Sequence, residues 1–306
     1  MFTKILFATT GSPTCDNAAK VAFDLEDKWD AKLYVFHVLG IPTRGFSQYI
    51  TDVRTGEVEE QDSDYINWVK EELKNTYDKL ITDEKNTLIK TAIGVPHREI
   101  LRLARKENID LIIMGAHTRE EDIGATRYRS IVGSTMQKVA KLARCPVVII
   151  NRPCTTCWKL FSNIVFGTDF SKATDSAFLF ARNLANEVGA KLHIFHTCEI
   201  SIGSAGQVKD QEEIEKMIEK AKDKIKTRYI SKMKGFDNYE IEVREGIPYV
   251  EILKFARERS GDLIALAHHT KKIKPEDAVL GSTIEQVILR SSCPVASVNH
   301  PDKVSD

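Results

Sequence analysis

The sequence lacks a surplus of charge of either sign. It contains 44 Lys plus Arg and 44 Asp plus Glu among 306 residues, so its formal net charge is zero. Without a basic surplus, the chain exerts no long-range attraction on nucleic acid or anionic membranes. Long apolar runs are missing too, because none approaches the roughly 18 residues that a membrane-spanning helix needs. We therefore expect neither nucleic acid nor a membrane among its partners.

Cysteine is also scarce, at six residues in 306. So low a content excludes a disulfide scaffold. The segment from Met1 to Ile5 leads directly into a strand-like run rather than into a targeting segment. We expect a cytoplasmic protein with reduced thiols, in which Cys145 and Cys293, each followed by a proline, are buried packing residues.

Two further cysteines, Cys154 and Cys157, form a CxxC motif. Such a motif can lower a thiol pKa, form a redox disulfide or supply half of a zinc site. A second half of a zinc site is not evident in the sequence. We therefore favour an exposed linker with incidental thiols, and a redox-responsive link is the alternative.

What the chain has instead is a duplication. The run from Lys4 to Thr10 returns as Asn163 to Asp169, and the later landmarks return in the same order. They are Val35-Phe36-His37 with Ile194-Phe195-His196, Gly94-Val95-Pro96 with Gly246-Ile247-Pro248, Asp110-Leu111-Ile112 with Asp262-Leu263-Ile264, Gly133-Ser134-Thr135 with Gly281-Ser282-Thr283, and Cys145-Pro146-Val147 with Cys293-Pro294-Val295. A solenoid unit runs only about 20–50 residues, so each copy is expected to be a domain with its own core. We predict domains at 1–151 and 161–300, a linker at 152–160 and a tail at 301–306.

Each copy alternates short apolar strands with amphipathic helical patterns. In the first copy we expect strands at 4–8, 33–38, 87–93, 110–114 and 146–150, helices at 62–82, 96–106 and from about 133, and a polar, irregular stretch at about 40–60. The second copy repeats this plan, with its long helix at about 211–234. Right-handed crossovers place helices on both faces of a parallel sheet. The predicted fold is α/β, with two tandem Rossmann-like domains, each an open five-stranded parallel sheet covered by helices on both faces.

Candidate ligand residues lie where the predicted strands end, because ligands of open parallel sheets bind beyond the carboxyl ends of the strands. A Gly-Ser-Thr helix start offers backbone N–H groups, two hydroxyls and the positive end of the helix dipole to a phosphate. The alternative for such a triplet is a simple helix cap, but its presence in both copies favours a phosphate site. The candidates are Thr9, Thr10, Val38, Gly115, Thr118, Gly133, Ser134 and Thr135 in the first copy, and Thr168, Asp169, Thr197, Ala267, His269, Thr270, Gly281, Ser282 and Thr283 in the second.

These residues resemble the universal stress protein family, in particular its tandem members, over almost the whole chain. The resemblance is carried by Thr168-Asp169, by Met114-Gly115-Ala116-His117 and by the paired Gly-x-Pro, Asp-Leu-Ile, Gly-Ser-Thr and Cys-Pro-Val landmarks. It implies a five-stranded sheet of the adenine-nucleotide-hydrolase type, dimerisation through the final strands and a role in stress survival. Many members bind ATP through Gly-x-x-Gly, a short loop and Gly-Ser/Thr, whereas others lack this motif and bind no nucleotide.

Each copy departs from the family's ATP motif in a different way. In the first copy, Gly115 fits the first glycine, Thr118 replaces the second, and Thr10 replaces the acid that would receive adenine or ribose. The second copy keeps Asp169 but has Ala267 and Thr270 in place of the two glycines. The preceding loops carry Arg119, Arg127 and Arg129 in the first copy and Lys271, Lys272 and Lys274 in the second. Asp169 and the three lysines, which could neutralise a polyphosphate, make the second copy the favoured site.

The predicted function is that of a stress-response protein that binds ATP, AMP or a similar anionic ligand, with Mg²⁺ as a companion of ATP. The alternative is a degenerate interaction module that acts through protein partners or another small ligand. The sequence shows no Ser-His-Asp or Cys-His arrangement, so we expect at most slow ATP hydrolysis. We interpret His117 and His269, at corresponding positions, as residues that orient loops, and we predict no resident metal site.

The resemblance also implies how the two copies pair. We predict an intramolecular pair in which the final strands, 146–150 and 294–298, lie side by side. Fusion gives the two copies a high effective concentration, so this pairing needs less intrinsic affinity than a dimer of separate chains. Association of two whole chains into a further homodimer stays open.

Overall fold

The computed structural model of the chain describes residues 1–40, 49–51, 58–60, 63–82, 85–116, 133–151, 161–199, 210–267 and 281–299. Several predictions concern residues outside these ranges. They are those for the linker 152–160 with Cys154 and Cys157, the tail 301–306, His117, Thr118, Arg119, Arg127, Arg129, His269, Thr270, Lys271, Lys272 and Lys274.

Residues 1–151, here called the first repeat, alternate strands and helices as predicted. Its elements are β1 (Lys4–Thr9), α1 (Asp16–Trp29), β2 (Lys32–Gly40), β3 (Tyr49–Thr51), β4 (Val58–Glu60), α2 (Ser63–Tyr77), β5 (Thr87–Gly94), α3 (Pro96–Lys106), β6 (Leu111–Gly115), α4 (Ser134–Leu142) and β7 (Val147–Ile150). The stretch at 40–60, expected to be irregular, contains the two short strands β3 and β4, which pair antiparallel in a sheet of their own.

Residues 161–299, the second repeat, follow the same plan. The elements are β8 (Asn163–Thr168), α5 (Ala173–Val188), β9 (Lys191–Cys198), α6 (Gln211–Arg228), β10 (Tyr239–Glu245), α7 (Pro248–Glu258), β11 (Leu263–Ala267), α8 (Ser282–Arg290) and β12 (Val295–Val298). A 3-10 turn at Ile230–Lys232 follows α6, where the sequence predicts a helix that continues to about residue 234.

The main strands of both repeats form one continuous sheet. Within the described residues its order is β10-β9-β8-β11-β12-β7-β6-β1-β2-β5. Neighbouring strands are parallel inside each repeat, and β7 and β12 are antiparallel where the repeats meet. The predicted α/β fold with five parallel strands in each repeat is confirmed, and the predicted pairing of the final strands joins the two sets into one sheet.

One aspartate in each repeat anchors the first strand beside its neighbour. In the first repeat, Asp110 accepts hydrogen bonds from the backbone N–H groups of Thr3 and Lys4 at 3.0 and 3.1 Å. In the second, Asp262 accepts from the N–H groups of Ser162 and Asn163. These bonds satisfy donors at the strand starts and thereby fix the register of the strands that end at the candidate sites.

Reciprocal contacts across the β7–β12 pairing show that the two repeats are related by a pseudo-two-fold axis. The side-chain amide of Asn151 donates to the carbonyl of Leu289 at 2.8 Å, and that of Asn299 donates to the carbonyl of Lys141 at 2.5 Å. These four residues correspond pairwise between the repeats, as an isologous contact requires. The axis passes between Val148 and Ala296, which face one another in the ladder and occupy corresponding positions.

Candidate functional site

A cavity of about 140 Å³ opens at the carboxyl ends of the strands of the first repeat. It lies where β1 and β6 end and where α4 begins, which is the position that an open parallel sheet offers to a ligand. A single water needs only about 10–15 Å³ of such space, so the cavity has room for a ligand of several non-hydrogen atoms. It is lined by Ala8, Thr9, Thr10, Cys15, Phe36, Val38, Pro96, Ile100, Met114, Gly115, Ala116, Gly133, Ser134, Thr135 and Met136.

The cavity brings together the candidates that the sequence nominates in the first repeat. Every one that the structure describes lines it, namely Thr9, Thr10, Val38, Gly115, Gly133, Ser134 and Thr135. They come from four separate segments, which the sheet topology alone places side by side.

The apolar wall of the cavity is the part that the sequence analysis misses. Its members are Phe36 from β2, Ile100 from α3, Met114 from β6 and Met136 from α4, together with Cys15 after the first turn. Their spacing reads as ordinary core residues, because a pocket wall and a core face have the same apolar pattern. Strand alternation in β2 and β6 assigns Phe36 and Met114 to one face of the sheet, but it does not distinguish a cavity wall from a core face.

The start of α4 lies at one end of the cavity and begins with Gly133. Gly133 caps the helix with an extended conformation (φ −55°, ψ 131°), and its carbonyl accepts the first helical bond, from the N–H of Gln137 at 3.0 Å. A Cβ at Gly133 would lie 3.3 Å from the carbonyl oxygen of Ala116, so a side chain here would press on the end of β6. The N–H groups of the first turn point out of the helix toward the cavity end, as at any helix N-terminus.

Neutral hydroxyl groups dominate the polar lining. The Thr10 hydroxyl hydrogen-bonds the Ser12 hydroxyl at 2.7 Å and lies 3.3 Å from the sulfur of Cys15. Among the described residues that line the cavity, none is a carboxylate, lysine, arginine or histidine. The polar groups that this lining offers to a ligand are therefore hydroxyls and backbone N–H groups.

A buried tyrosine and a neutral histidine fix the end of the first strand in each repeat. The Thr9 hydroxyl hydrogen-bonds the Tyr77 hydroxyl at 2.5 Å, and Thr168 contacts Tyr229 in the same way at 2.6 Å. Burial raises the pKa of both tyrosines. The ring Nδ1 atoms of two histidines bind the carbonyls of the same threonines: His37 that of Thr9 at 2.9 Å, and His196 that of Thr168 at 2.7 Å. Burial lowers the pKa of both histidines, which favours the neutral imidazole.

The corresponding turn of the second repeat is charged. Asp169 stands where the first repeat has Thr10, and its carboxylate accepts the N–H of Ser171 at 2.8 Å. Phe170 follows with φ 61°, and the ammonium of Lys224 lies 4.3 Å from the centre of its ring. Arg228 donates to the carbonyls of Phe170 and Ser171 at 2.6 and 2.8 Å. Two cations therefore contact this turn, where the first repeat has neutral hydroxyls, and one of them, Arg228, is paired with Asp175.

The remaining candidates of the second repeat also lie at the carboxyl ends of the strands. Thr197 is near the end of β9 and Ala267 ends β11, while Gly281, Ser282 and Thr283 open α8. The hydroxyl of Thr197 is buried and has no hydrogen-bond partner among the described residues. Among the described residues, none has an atom within 4 Å of a Cβ built at Gly281.

Within the described ranges, His, Cys, Asp and Glu side chains form no group of three that could hold a metal ion. None of the described helices is both long enough and apolar enough to cross a membrane.

Comparisons with known proteins give one consistent result. The model of the Universal stress protein family matches the chain twice, over residues 1–151 and 160–299. Universal stress protein MJ0531 of Methanocaldococcus jannaschii is 30% identical over 162 residues, which is 50% of this chain and 84% of that protein. Universal stress protein MJ0577 of the same organism is 28% identical, over 50% of this chain and 96% of that protein. The crystal structure of a universal stress protein from Archaeoglobus fulgidus DSM 4304 covers 98% of this chain and 97% of its own, with a TM-score of 0.65 and 20% identity. That likeness shows a common fold along nearly the full length of both chains.

Proposed function

Because this chain belongs to the universal stress protein family, we propose that it is a cytoplasmic stress-response protein that binds ATP, AMP or a similar anionic ligand. The ligand lies at the carboxyl ends of the strands, and binding rather than turnover is the function. Of the two candidate sites, the proposal gives the cavity of the first repeat the leading role.

The observation that carries this proposal is the convergence of seven nominated residues on one cavity. Thr9, Thr10 and Val38 come from one side of it, and Gly115 and the Gly133–Thr135 helix start come from the other. An apolar wall with a few polar groups at one end is the usual form of a small-molecule site. It suits a flat base against Phe36 and Met114 and an anionic group at the start of α4.

Different residues of the chain would bind different parts of the ligand. The hydroxyls of Ser134 and Thr135 and the backbone N–H groups of the first turn of α4 would hold phosphate oxygens. Mg²⁺, where ATP carries it, would stay on the phosphates, because the described cavity lining offers no carboxylate. The same lining provides no general base for an attacking water, which supports binding with at most slow hydrolysis.

A second candidate function is an interaction module that takes no nucleotide. The neutral lining of the cavity favours it, because Thr10 replaces an acid and no described lining residue is a lysine or arginine that could pair with a phosphate. In that case the surface of the paired repeats would contact protein partners directly, and two whole chains could associate through it.

Gentle purification followed by native mass spectrometry separates the two functions. A co-purified nucleotide of the expected mass supports the first, and an empty protein that captures neither ATP nor AMP at millimolar concentration contradicts it. Site assignment uses two matched variants, Ser134→Ala/Thr135→Ala and Ser282→Ala/Thr283→Ala. We expect the first pair to weaken equilibrium binding of labelled ATP at least tenfold and the second pair to leave it nearly unchanged. The reverse result would assign the site to the second repeat.

A further inference from the structure

The outer strand of the second repeat carries an arginine held among three glutamates. Arg244, on β10, donates to Glu242 at 2.9 Å and to Glu258 at 2.6 Å, and it lies 3.9 Å from Glu251. Its guanidinium also covers the ring of Phe255, 5.1 Å from the ring centre. These acids raise the pKa of the arginine and keep it charged.

The first repeat has the same frame with the charges exchanged. The registers of the outer strands show which residues correspond. Lys90 lies opposite Phe36 in the β5–β2 pair, and Glu242 lies opposite Phe195 in the β10–β9 pair, so Lys90 corresponds to Glu242. In the same way Ala92, opposite Val38, corresponds to Arg244, opposite Thr197. In the helices that follow, counting from Pro96 and Pro248 places Lys106 where the second repeat has Glu258, while Glu99 corresponds to Glu251. The first repeat therefore has an alanine in place of the arginine and lysines in place of two of its three glutamates. Only the third glutamate is kept, as Glu99.

This exchange leaves an open groove of about 380 Å³ along the outer edge of β5. Its lining includes four cations and one carboxylate, together with apolar residues. The cations are Lys70, Lys90, Arg102 and Lys106, and the carboxylate is that of Glu99.

Two of the four positive charges are already balanced. Lys90 donates to Glu107 at 2.8 Å, and Arg102 forms an ion pair with Glu99. Among the described residues, neither Lys70 nor Lys106 lies within ion-pair distance of a carboxylate, and Lys106 helps to lower the pKa of Glu107 from a greater distance. The groove thus carries a surplus of two positive charges, the reverse of its counterpart in the second repeat, where acids surround a cation.

We propose that this groove binds a small phosphate ester, whose dianionic phosphate occupies the space that corresponds to the Arg244 side chain. Lysine ammonium groups with rotatable donors contact phosphate as point charges, and the charge of the phosphate matches the surplus on the groove. Among the described lining residues this site shares only Phe36 with the cavity proposed for the nucleotide. Either site can therefore fail without the other.

The test is isothermal titration of the full chain with glycerol 3-phosphate at low salt. We expect saturable binding of one molecule per chain that weakens steeply as salt is added, since the lysines are accessible to water. Lys70→Ala/Lys106→Ala should weaken it at least tenfold. The matched control, Lys222→Ala/Lys254→Ala on the corresponding helices of the second repeat, should leave it unchanged.

A second variant closes the groove without removing its frame. Ala92→Arg/Lys106→Glu places an arginine beside Glu99 and one further acid, as the second repeat has it, and it leaves the Lys90–Glu107 pair in place. It should abolish binding while the chain stays folded. Ser134→Ala/Thr135→Ala should bind the ester as wild type does. Absence of saturable binding, or binding that depends on Ser134 and Thr135 and not on the lysines, would overturn the proposal.

Discussion

His193 is a buried imidazole that the second repeat keeps neutral. Its side chain is 2% exposed on β9, and its Nε2 lies 3.2 Å from the amide oxygen of Asn163. Burial lowers its pKa to about 4, although Glu240, 3.5 Å away, opposes the shift. The unfolded chain takes up a proton at this residue near pH 6.5, well before the folded chain does.

Stability should therefore fall as the solution is acidified. The contribution of His193 is fully present above about pH 6.5 and is lost as the pH falls toward 4, about 2 kcal/mol of it between pH 7 and pH 5. His193→Phe removes the titrating group and keeps a ring against Phe255. We expect a shallower decline of the urea midpoint between pH 7 and pH 5 in this variant, and a decline as steep as that of wild type would contradict this assignment.

The two buried tyrosines at the strand ends are matched but not equal. Tyr229 contacts the hydroxyls of both Thr168 and Thr174, at 2.6 and 3.1 Å, whereas Tyr77 contacts that of Thr9. Tyr229→Phe should cost about 1–2 kcal/mol, because it deprives two buried hydroxyls of a partner. Tyr77→Phe, the matched control, should cost less. Equilibrium unfolding in urea measures both values, and equal losses would show that the second contact contributes nothing.

At the scale of the elements, the two repeats differ in a pair of side chains that pack against each other on neighbouring strands. Gly167 on β8 lies beside Leu266 on β11, and a Cβ at Gly167 would be 2.5 Å from a methyl carbon of that leucine. At the corresponding positions, β1 and β6 carry Ala8 and Met114. The unbranched methionine adapts to the extra methyl group more readily than a branched leucine in a packed core does.

Gly167→Ala should therefore destabilise the chain by about 1–3 kcal/mol through overpacking. The double change Gly167→Ala/Leu266→Met reproduces the pair of the first repeat and should recover most of that loss, while Leu266→Met alone should cost little. Urea unfolding of the four chains gives the coupling energy. Additive effects would mean that the two side chains do not compete for the same space.

The limits of a helix are predicted correctly where its apolar pattern ends at the same residue as its helical backbone. Helix α3 runs over Pro96–Lys106 as expected, because a proline at its first turn and the end of its apolar stripe both mark its limits. Helix α6 was expected to reach about residue 234 but ends at Arg228. The apolar pattern continues through Tyr229 and Met233, both buried, while the backbone changes to a 3-10 turn. Periodicity reports which residues are buried and is insensitive to this change of helix type.

The polar residues of the site can be predicted from the sequence, and its apolar residues cannot. Thr10, Ser134 and Thr135 can be recognised in the sequence, because hydroxyl side chains at strand ends and helix starts are placed to form hydrogen bonds. Phe36 and Met136 also line the cavity, but only the assembled topology distinguishes them from other core residues. Strands of three residues, such as β3, are too short to show a period at all.

At the scale of the whole molecule, the two repeats place different residues at the pseudo-two-fold axis. The side-chain amide of Gln137 donates to the carboxylate of Glu285 at 3.1 Å, and these residues occupy corresponding positions in α4 and α8. Burial raises the pKa of Glu285, so a second carboxylate beside it would be unfavourable. On the sheet side of the axis, Val148 likewise faces the smaller Ala296. We therefore expect each repeat to pair better with the other than with a copy of itself.

Exchanging the axial residues tests this complementarity. Gln137→Glu places two carboxylates face to face and should lower stability at pH 7 by about 1 kcal/mol, since both lie partly in water. Gln137→Glu/Glu285→Gln restores one amide and one carboxylate and should recover the loss. Hydrogen exchange of the β7 and β12 amides, measured beside the urea midpoint, reports whether the seam itself loosens. A double variant as unstable as the single one would refute the pairing.

The pairing of β7 with β12 also has a consequence during synthesis of the chain. Strand β7 leaves the ribosome long before β12 exists, and at about 5–20 residues per second the wait is on the order of ten seconds. Throughout that interval the first repeat carries an unpaired edge strand, Val-Val-Ile-Ile in sequence, which is a template for pairing with another nascent chain. We therefore expect a chain that carries only the first repeat to associate through this edge, and synthesis of the second repeat to prevent that association by covering it.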